Sequence, residues 1–415
     1  MNEPSTSSQR NSAAAPLGAS DSHSGIAGID PATASEKWQQ EGRRHQRTPG
    51  AYEWWYFDAV SAAGNGVVVA LFEGLPFHPF YLANVHRYQH RTMGTPFDAV
   101  PKDAQSAHYM AAYVAVFEHG RRTAQGLNLY PADGDDDSPE DLTEIRIGPN
   151  RITLRQDGSL GLVARVYPYR LKKFRPALIR DETIAVSLNM VPTFPGVQHV
   201  RPFRGPGPDG ATHVWALSCP HGMVTGSVQH LDTAEGVAIT DMRISTLGYH
   251  DHVYGQGALA HGIKRGHWGY LFGDDFTAIW HNLPLRGKST GRADGLVLIQ
   301  KNAPVIVIDG PDLSFEHRRL SKWLLGYPGK VTLHGSDTQG NLVEAILRNG
   351  PAVTNAPFYT RLETKGTITI PGRRQFMGRG FMHSLKLGRL RWPVLSDMVL
   401  MAIADVRADD PLWRQ

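Results

Sequence analysis

The densest concentration of reactive side chains in this 415-residue chain is the run Tyr52-Glu53-Trp54-Trp55-Tyr56-Phe57-Asp58. In an extended strand successive side chains face opposite ways, so Glu53, Trp55 and Phe57 share one face while Trp54, Tyr56 and Asp58 share the other. Each face therefore combines aromatic surface with a carboxyl group. Burial raises a carboxyl pKa until the group can donate a proton, and aromatic π-faces stabilise a developing cation. Those two properties suit chemistry on an isoprenoid double bond. The competing assignment is structural, with the tryptophans in a core and the carboxylates bound to backbone groups or arginines.

A second concentration is Gly248-Tyr249-His250-Asp251-His252-Val253-Tyr254-Gly255-Gln256-Gly257. On a strand, His250 and His252 point the same way and Asp251 is turned from them. Three roles compete. A metal site would need further ligands from His261, His267 or His281, and the chain has neither an HExxH helix nor paired cysteines, so no metal is expected. An acid/base site needs only one His or Asp in a hydrophobic pocket with an orienting partner. A structural role would tie a loop to a domain interface. Elsewhere, Cys219-Pro220-His221 lacks the surroundings of a thiol nucleophile, and Asp274-Asp275 lies between two strands as a solvated hairpin tip. No Gly-x-Gly-x-x-Gly follows a strand, so no dinucleotide cofactor is expected.

The elements that must position these groups are strands. From Tyr52 onward apolar residues recur at a period of two in short stretches punctuated by Gly, Pro, Asn and Asp. The 43 glycines and 28 prolines fit many turns between short elements. Nine or ten strands on each side of about residue 232 predict an all-β chain. Its expected divisions are a disordered tail over 1–44, β domains over 45–232 and 233–385, and a helical segment over 386–415. The Pro/Gly-rich stretch from Pro192 to Ala211 reads as a long covering loop. Ser396 is placed to N-cap a helix with Val399, Leu400, Ile403 and Val406 on one face. Lys386, Arg389 and Arg391 precede it, which suits packing on a barrel or peripheral contact with a membrane.

Composition narrows the partners. Forty-three basic against 39 acidic residues leave a net charge of +4, too small to demand a polyanion, so nucleic acid is not an expected partner. The single cysteine, Cys219, excludes an intrachain disulfide and a thiolate-rich zinc site. No run approaches the ~18–20 apolar residues of a membrane-spanning helix. The Ser/Ala/Gly-rich N-terminus lacks an apolar signal core, making the cytoplasm the default, with the inner face of a membrane as the alternative.

Together, EWWYFDA near the start, HVWAL downstream, GYHDH-x-YG in the middle and a late GRGFMH resemble the acyclic carotenoid 1,2-hydratases (hydroxyneurosporene synthases) and their relatives. Those relatives are the AttH-like lipocalin-type proteins, kievitone-hydratase-like proteins and fungal lipocalin-like Diels–Alderases. The resemblance spans roughly residues 50 to 385. It implies two tandem lipocalin-like antiparallel β-barrel or sandwich domains, a hydrophobic pocket, and cofactor-free chemistry on polyenes or isoprenoids. The match lies at Trp54, Trp55, Tyr56, Asp58, His250, Asp251 and His252. Where the hydratases tend to have His-Asn-Trp-Gly, this chain has His252-Val253-Tyr254-Gly255. A Tyr-x-Asp pair of the hydratases corresponds to Ile279-Trp280-His281, and Glu53 resembles the AttH-like and Diels–Alderase branches.

The expected function is therefore a cofactor-independent hydratase. An acid among Asp58, Asp251, His252 and His281 would protonate a double bond of an acyclic isoprenoid. Glu53, Trp54, Trp55, Tyr56, His250, Tyr254 and Trp280 would line the pocket, and water would add to the cation. The alternatives are a cyclase or pericyclase that folds a polyene in the same pocket, and a carrier of a hydrophobic molecule without chemistry.

Overall fold

The structure is a computed structural model that describes residues 41–44, 48–91, 101–131, 144–155, 157–172, 175–194, 197–204, 212–284, 292–301, 303–373 and 375–413. The aromatic run becomes β1 (Tyr52–Val60), followed by β2 (Gly66–Glu73), helix α1 (Pro79–Arg91), β3 (Met110–Glu118) and β4 (Arg121–Tyr130). Next come β5 (Glu144–Ile147), β6 (Asn150–Leu154), β7 (Leu160–Val166), β8 (Tyr169–Lys172), β9 (Arg175–Leu178), β10 (Glu182–Pro192) and β11 (Val197–Arg204). Two long strands, β12 (Thr212–Asp232) and β13 (Val237–Gly255), and a single helical turn α2 (Leu259–Gly262) complete this half.

The second half contains β14 (Gly266–Phe272), β15 (Phe276–Pro284), β16 (Arg292–Gln300), β17 (Ala303–Asp309) and β18 (Asp312–Glu316). It continues through β19 (Arg319–Leu320), β20 (Gly326–Tyr327), β21 (Lys330–Ser336), β22 (Leu342–Asn355), β23 (Tyr359–Thr369) and β24 (Phe376–Leu385). Helix α3 (Pro393–Ala402) and the short β25 (Ile403–Asp405) end the described fold. Among the described residues these strands form a 12-stranded sheet, in the order β25-β4-β3-β2-β1-β13-β12-β10-β7-β6-β5 with β11 beside β12, and a nine-stranded sheet, β17-β16-β15-β14-β24-β23-β22-β21-β18. The molecule is all-β, two curled and almost wholly antiparallel sheets with few helices. The exception in the main sheets is β25, which runs parallel to β4.

Three cores follow from that layout. One fills the curve of the first sheet with Trp55, Phe57, Leu71 and Met110. Another fills the second with Leu271, Trp280, Leu333 and Met382. A third lies between the sheets and draws Tyr56, Tyr249, Tyr270, Ile279 and Val297 from both. Strand β1 is consequently buried on both sides, which is why its sequence is apolar and aromatic almost without a break rather than alternating with polar residues.

Several elements differ from the sequence expectation. The division expected at 232/233 falls on the tip of the β12–β13 hairpin, and both arms belong to the first sheet; the chain passes to the second sheet between Gly255 and Gly266. Residues 212–232 form one long strand, β12. Its register with β13 shifts around Cys219, next to Pro220, which has no N–H to donate to the ladder. Part of the expected covering loop is β11, an irregularly paired strand bonded on one side to β12; residues 205–211 lie outside the described residues.

Helix α3 starts before Ser396, with Trp392 as N-cap and Pro393 in its first turn, and the Ser396 hydroxyl donates to the Leu390 carbonyl at 2.6 Å. Proline at the first helical position has no intrahelical N–H to lose. Residues 403–405 leave the helix to pair with β4, so Ile403 and Val406 lie beyond its end. Of the expected tail, residues 1–40 lie outside the described residues, whereas Glu41 is buried inside the first sheet.

Candidate functional site

Strands β1 and β13 pair side by side, with Trp54 opposite Val253, Trp55 opposite His252, Tyr56 opposite Asp251, Phe57 opposite His250 and Asp58 opposite Tyr249. The two motifs are thus neighbours. Because side chains alternate, the pairing splits the expected residues between two environments. Trp54, Tyr56, Asp58 and Asp251 face the second sheet; Glu53, Trp55, His250, His252 and Tyr254 face into the first. Gly248 permits the close approach, since a Cβ there would lie 2.9 Å from the Asp58 carbonyl oxygen.

On the face between the sheets, Asp58 Oδ2 accepts hydrogen bonds from Tyr56 Oη at 2.8 Å, from the Tyr270 hydroxyl, and from Arg361 Nη2 at 2.5 Å. The Arg361 guanidinium lies 3.4 Å from the centre of the Phe381 ring. Burial opposes its charge, but Asp58 beside it holds its pKa above the ordinary arginine value. Burial likewise pushes the Tyr56 and Tyr270 hydroxyls up, reinforced by Asp58, so both remain protonated donors. Asp58 Oδ1 has no hydrogen-bond partner among the described residues.

Asp251 is bound differently. Its Oδ2 accepts from the indole N–H of Trp215 and from the Tyr249 hydroxyl, both at 2.7 Å. Among the described residues no cation pairs with it directly, and burial pushes its pKa up to about 6 against the pull of those two donors. Its other oxygen is buried without a partner among the described residues. Tyr249 stacks on Tyr270 at 4.5 Å, linking the two carboxyl groups through aromatic rings.

Of these groups Tyr56 lines a cavity of about 210 Å³ between the sheets, walled also by Trp54, Phe72, Trp268, Tyr359 and, from helix α3, Val399; Asp58 and Asp251 are not among its lining residues. It exceeds the ~150 Å³ apolar cavity known to admit benzene but falls short of the ~300–1,000 Å³ of drug-sized sites. Its volume suits part of a long molecule. Trp268 stacks on His383 at 3.7 Å, and the His383 Nδ1 is hydrogen-bonded to the Tyr359 hydroxyl at 2.6 Å. Burial, with Arg361 nearby, lowers the His383 pKa and keeps the ring neutral.

The opposite face of β1 and β13 holds a different cluster. His252 Nε2 lies 2.7 Å from Glu53 Oε1, and His250 Nε2 lies 3.1 Å from Glu41 Oε2. Glu53 also accepts from the backbone N–H of Arg44, and the Trp55 indole donates to the Glu41 carbonyl. Trp55 stacks on His252 and Phe57 on His250. Arg43 pairs with Glu73 at 2.5 Å, and Arg44 lies over the Tyr254 ring. The residues leading into β1 are thereby stitched into the first sheet.

The remaining expected residues divide likewise. His281 faces the intersheet core, with its ring 5.5 Å from Trp215 and its pKa lowered to about 4 by burial, so it is neutral near pH 7. Trp280 points into the core of the second sheet. Among the described residues no group of three or more His, Cys, Asp or Glu side chains is arranged to hold a metal ion, and Cys219 is buried with its pKa pushed up by that burial. Arg361, Trp268, Tyr270 and Tyr359 escaped the sequence reading. Trp268 and Tyr270 carried a weak signal as alternate aromatics on one strand; Arg361 carried none, because its partner Asp58 is 303 residues away.

Comparison with known proteins puts this geometry in context. An AttH structure from Nitrosomonas europaea superposes with a TM-score of 0.52 at 14% identity, covering 84% of this chain and 95% of that one. The fold is of the AttH-like lipocalin type. In sequence, this lipocalin-type chain is 25% identical over 358 residues to a protein of Chlorobaculum tepidum named hydroxyneurosporene dehydrogenase, across 83% of this chain and 84% of that one. Kievitone hydratase from Nectria haematococca matches at a TM-score of 0.47 and 9% identity, over 83% and 92% of the two chains. No family model matches the chain.

Proposed function

We propose that the protein is a hydratase-type enzyme that adds water to a double bond at one end of a long, apolar, unsaturated substrate of isoprenoid character. The observation that carries this reading is Asp251, a buried carboxyl group with a pKa of about 6 that is turned toward the second sheet beside Tyr56, a residue of the cavity wall. The name of the Chlorobaculum tepidum relative, which refers to a hydroxylated acyclic carotenoid, supports the substrate class.

In this mechanism Asp251 transfers its proton to the less substituted alkene carbon. The tertiary cation rests against Trp54 and Trp268, whose π-faces stabilise positive charge. Water adds to the cation, and the proton it releases returns to the Asp251 carboxylate, so the enzyme ends the cycle as it began. Tyr56 keeps its proton and, fixed by Asp58, offers the water a lone pair. Asp58, with three donors on one oxygen, serves as the anionic anchor of that arrangement rather than the acid. His281, being neutral, is not the acid either, and His252 is a structural partner of Glu53.

Exposed Trp392 and Val394 beside Arg389 and Arg391 lie at the start of α3, which forms part of the cavity wall. Contact of that edge with a membrane surface would bring an apolar substrate to the cavity. The deciding experiment is incubation with acyclic carotenoid and isoprenoid candidates in oxygen-18 water. A labelled hydroxyl in the product is the expected result. A product of unchanged mass would show cyclisation instead, and tightly bound, unreacted ligand would show a carrier.

A further inference from the structure

The cavity has a second polar end that the hydration chemistry does not use. Between β3 and β4 the pairing runs Ala115 with Gln125 and Val116 with Ala124, then Phe117 with Arg122, so Thr123 is an extra residue in β4. A bulge of this kind re-aims the neighbouring side chain. It turns Arg122 onto the same face as Gln125 and Leu127, and all three line the cavity together with Tyr113 and Tyr169.

Arg122 is the one charged side chain among the described lining residues. No carboxylate among the described residues pairs with it. Gln125 is 6% exposed, yet its amide makes no hydrogen bond to any described residue. A half-buried guanidinium held against apolar surface with no counter-charge is costly. That cost falls, and the donors of both side chains gain acceptors, when a ligand presents oxygen atoms there. Arg122 is close enough for its charge to act on the hydroxyls of Tyr169 and Tyr359, so the positive field reaches into the cavity.

Sheet register gives the separation. Asp58, Val68, Ala115 and Gln125 form one row across β1, β2, β3 and β4, and Tyr56, Ala70, Tyr113 and Leu127 form the next. Three strand spacings separate β1 from β4, about 14 Å at ~4.8 Å each.

We infer that the substrate is not a neutral hydrocarbon but an amphipathic chain with a planar anionic head, a carboxylate or enolate, held by Arg122 and Gln125. Its unsaturated end then reaches Trp54, Tyr56 and Trp268, which line the same cavity three strands away along the first sheet and on the facing sheet. A planar guanidinium fits such a head through two parallel hydrogen bonds, and the Gln125 amide donates a third. This inference rests on the cavity being the substrate site of the proposed hydratase, and names the class of molecule that the site takes.

The test uses the full chain and two fluorescent probes of equal length, a conjugated tetraenoic fatty acid and its methyl ester, titrated at pH 8. The acid is expected to bind at least tenfold more tightly than the ester, Arg122→Met is expected to erase that preference, and Gln125→Leu is expected to weaken both probes and keep it. Equal affinity of the wild-type protein for acid and ester overturns the anionic head while sparing the cavity. Binding of neither probe overturns it together with the reading of the cavity as a substrate site. The wild-type comparison needs no variant, so a variant that fails to fold does not blunt the test. An acid preference that survives in folded Arg122→Met overturns the assignment to Arg122.

Discussion

Strands β1 and β13 carry acidic residues on both faces, and the two faces treat them in opposite ways. Inside the first sheet Glu53 meets His252, Glu41 meets His250 and Glu73 meets Arg43, so each carboxylate has an intramolecular cationic or imidazole partner. The main exception there is His252 Nδ1, 4.0 Å from Glu41 Oε2. Between the sheets Asp58 shares one oxygen with three donors while its second oxygen is unpartnered, and Asp251 has only neutral donors. A cluster whose carboxylates are each paired ties chain segments together. One with unpartnered atoms beside a cavity has capacity left for a ligand, and its perturbed pKa is what acid catalysis requires.

The contrast can be broken most forcefully at Arg361. Replacing it by Met strands Asp58 as an unpaired buried charge, and chemical denaturation should show a loss of about 3–5 kcal/mol. Next in size is the effect of Asp251→Asn on turnover. Removing the general acid should cost about 10²–10⁴ in rate, while the Asn oxygen can still accept from Trp215 and Tyr249. Steady-state product formation with the wild-type fold intact by circular dichroism is the measure; unchanged turnover would remove Asp251 from the mechanism.

The same variant separates activity from stability. The folded pKa of Asp251, about 6, lies above the value of about 3.9 in an unfolded chain. Its favourable contribution to folding is therefore fully present below about pH 4 and is lost as pH rises through 6. Asp251→Asn should be more stable than wild type above pH 6, by up to roughly 2–3 kcal/mol, with the difference vanishing near pH 4. Wild-type turnover should also fall as pH rises past 6. The smallest effect belongs to the other face: Glu53→Gln should lower stability by about 1–3 kcal/mol and leave turnover unchanged. A large loss of turnover without loss of stability would move the chemistry to the interior cluster.

Much of this was legible in the sequence. The placement of Glu53, Trp55 and Phe57 against Trp54, Tyr56 and Asp58 on β1 needs only strand geometry, and so does the turning of Asp251 away from His250 and His252. Helix α1 was missed although Pro79 and the buried Tyr81 and Val85 mark one face of it. The first half of strand β13 carries no strand signal because its first ten residues are mostly exposed and bury no continuous apolar face. Two small segments, β8 and β9, pair only with each other among the described residues, and four residues are too few for a period to register.

The amino-acid sequence by itself determined the β character, the pairing of aromatic with acidic residues, and which side chains of each motif share a face, because these depend on backbone alternation and local composition. Tertiary structure alone decided which face meets a cavity and which meets a buried imidazole pair. It also decided that Arg361 pairs with Asp58 and that a bulge turns Arg122 into the same cavity as Trp268. Contacts between residues separated by hundreds of positions depend on how two sheets curl and pack, and no local pattern encodes that distance.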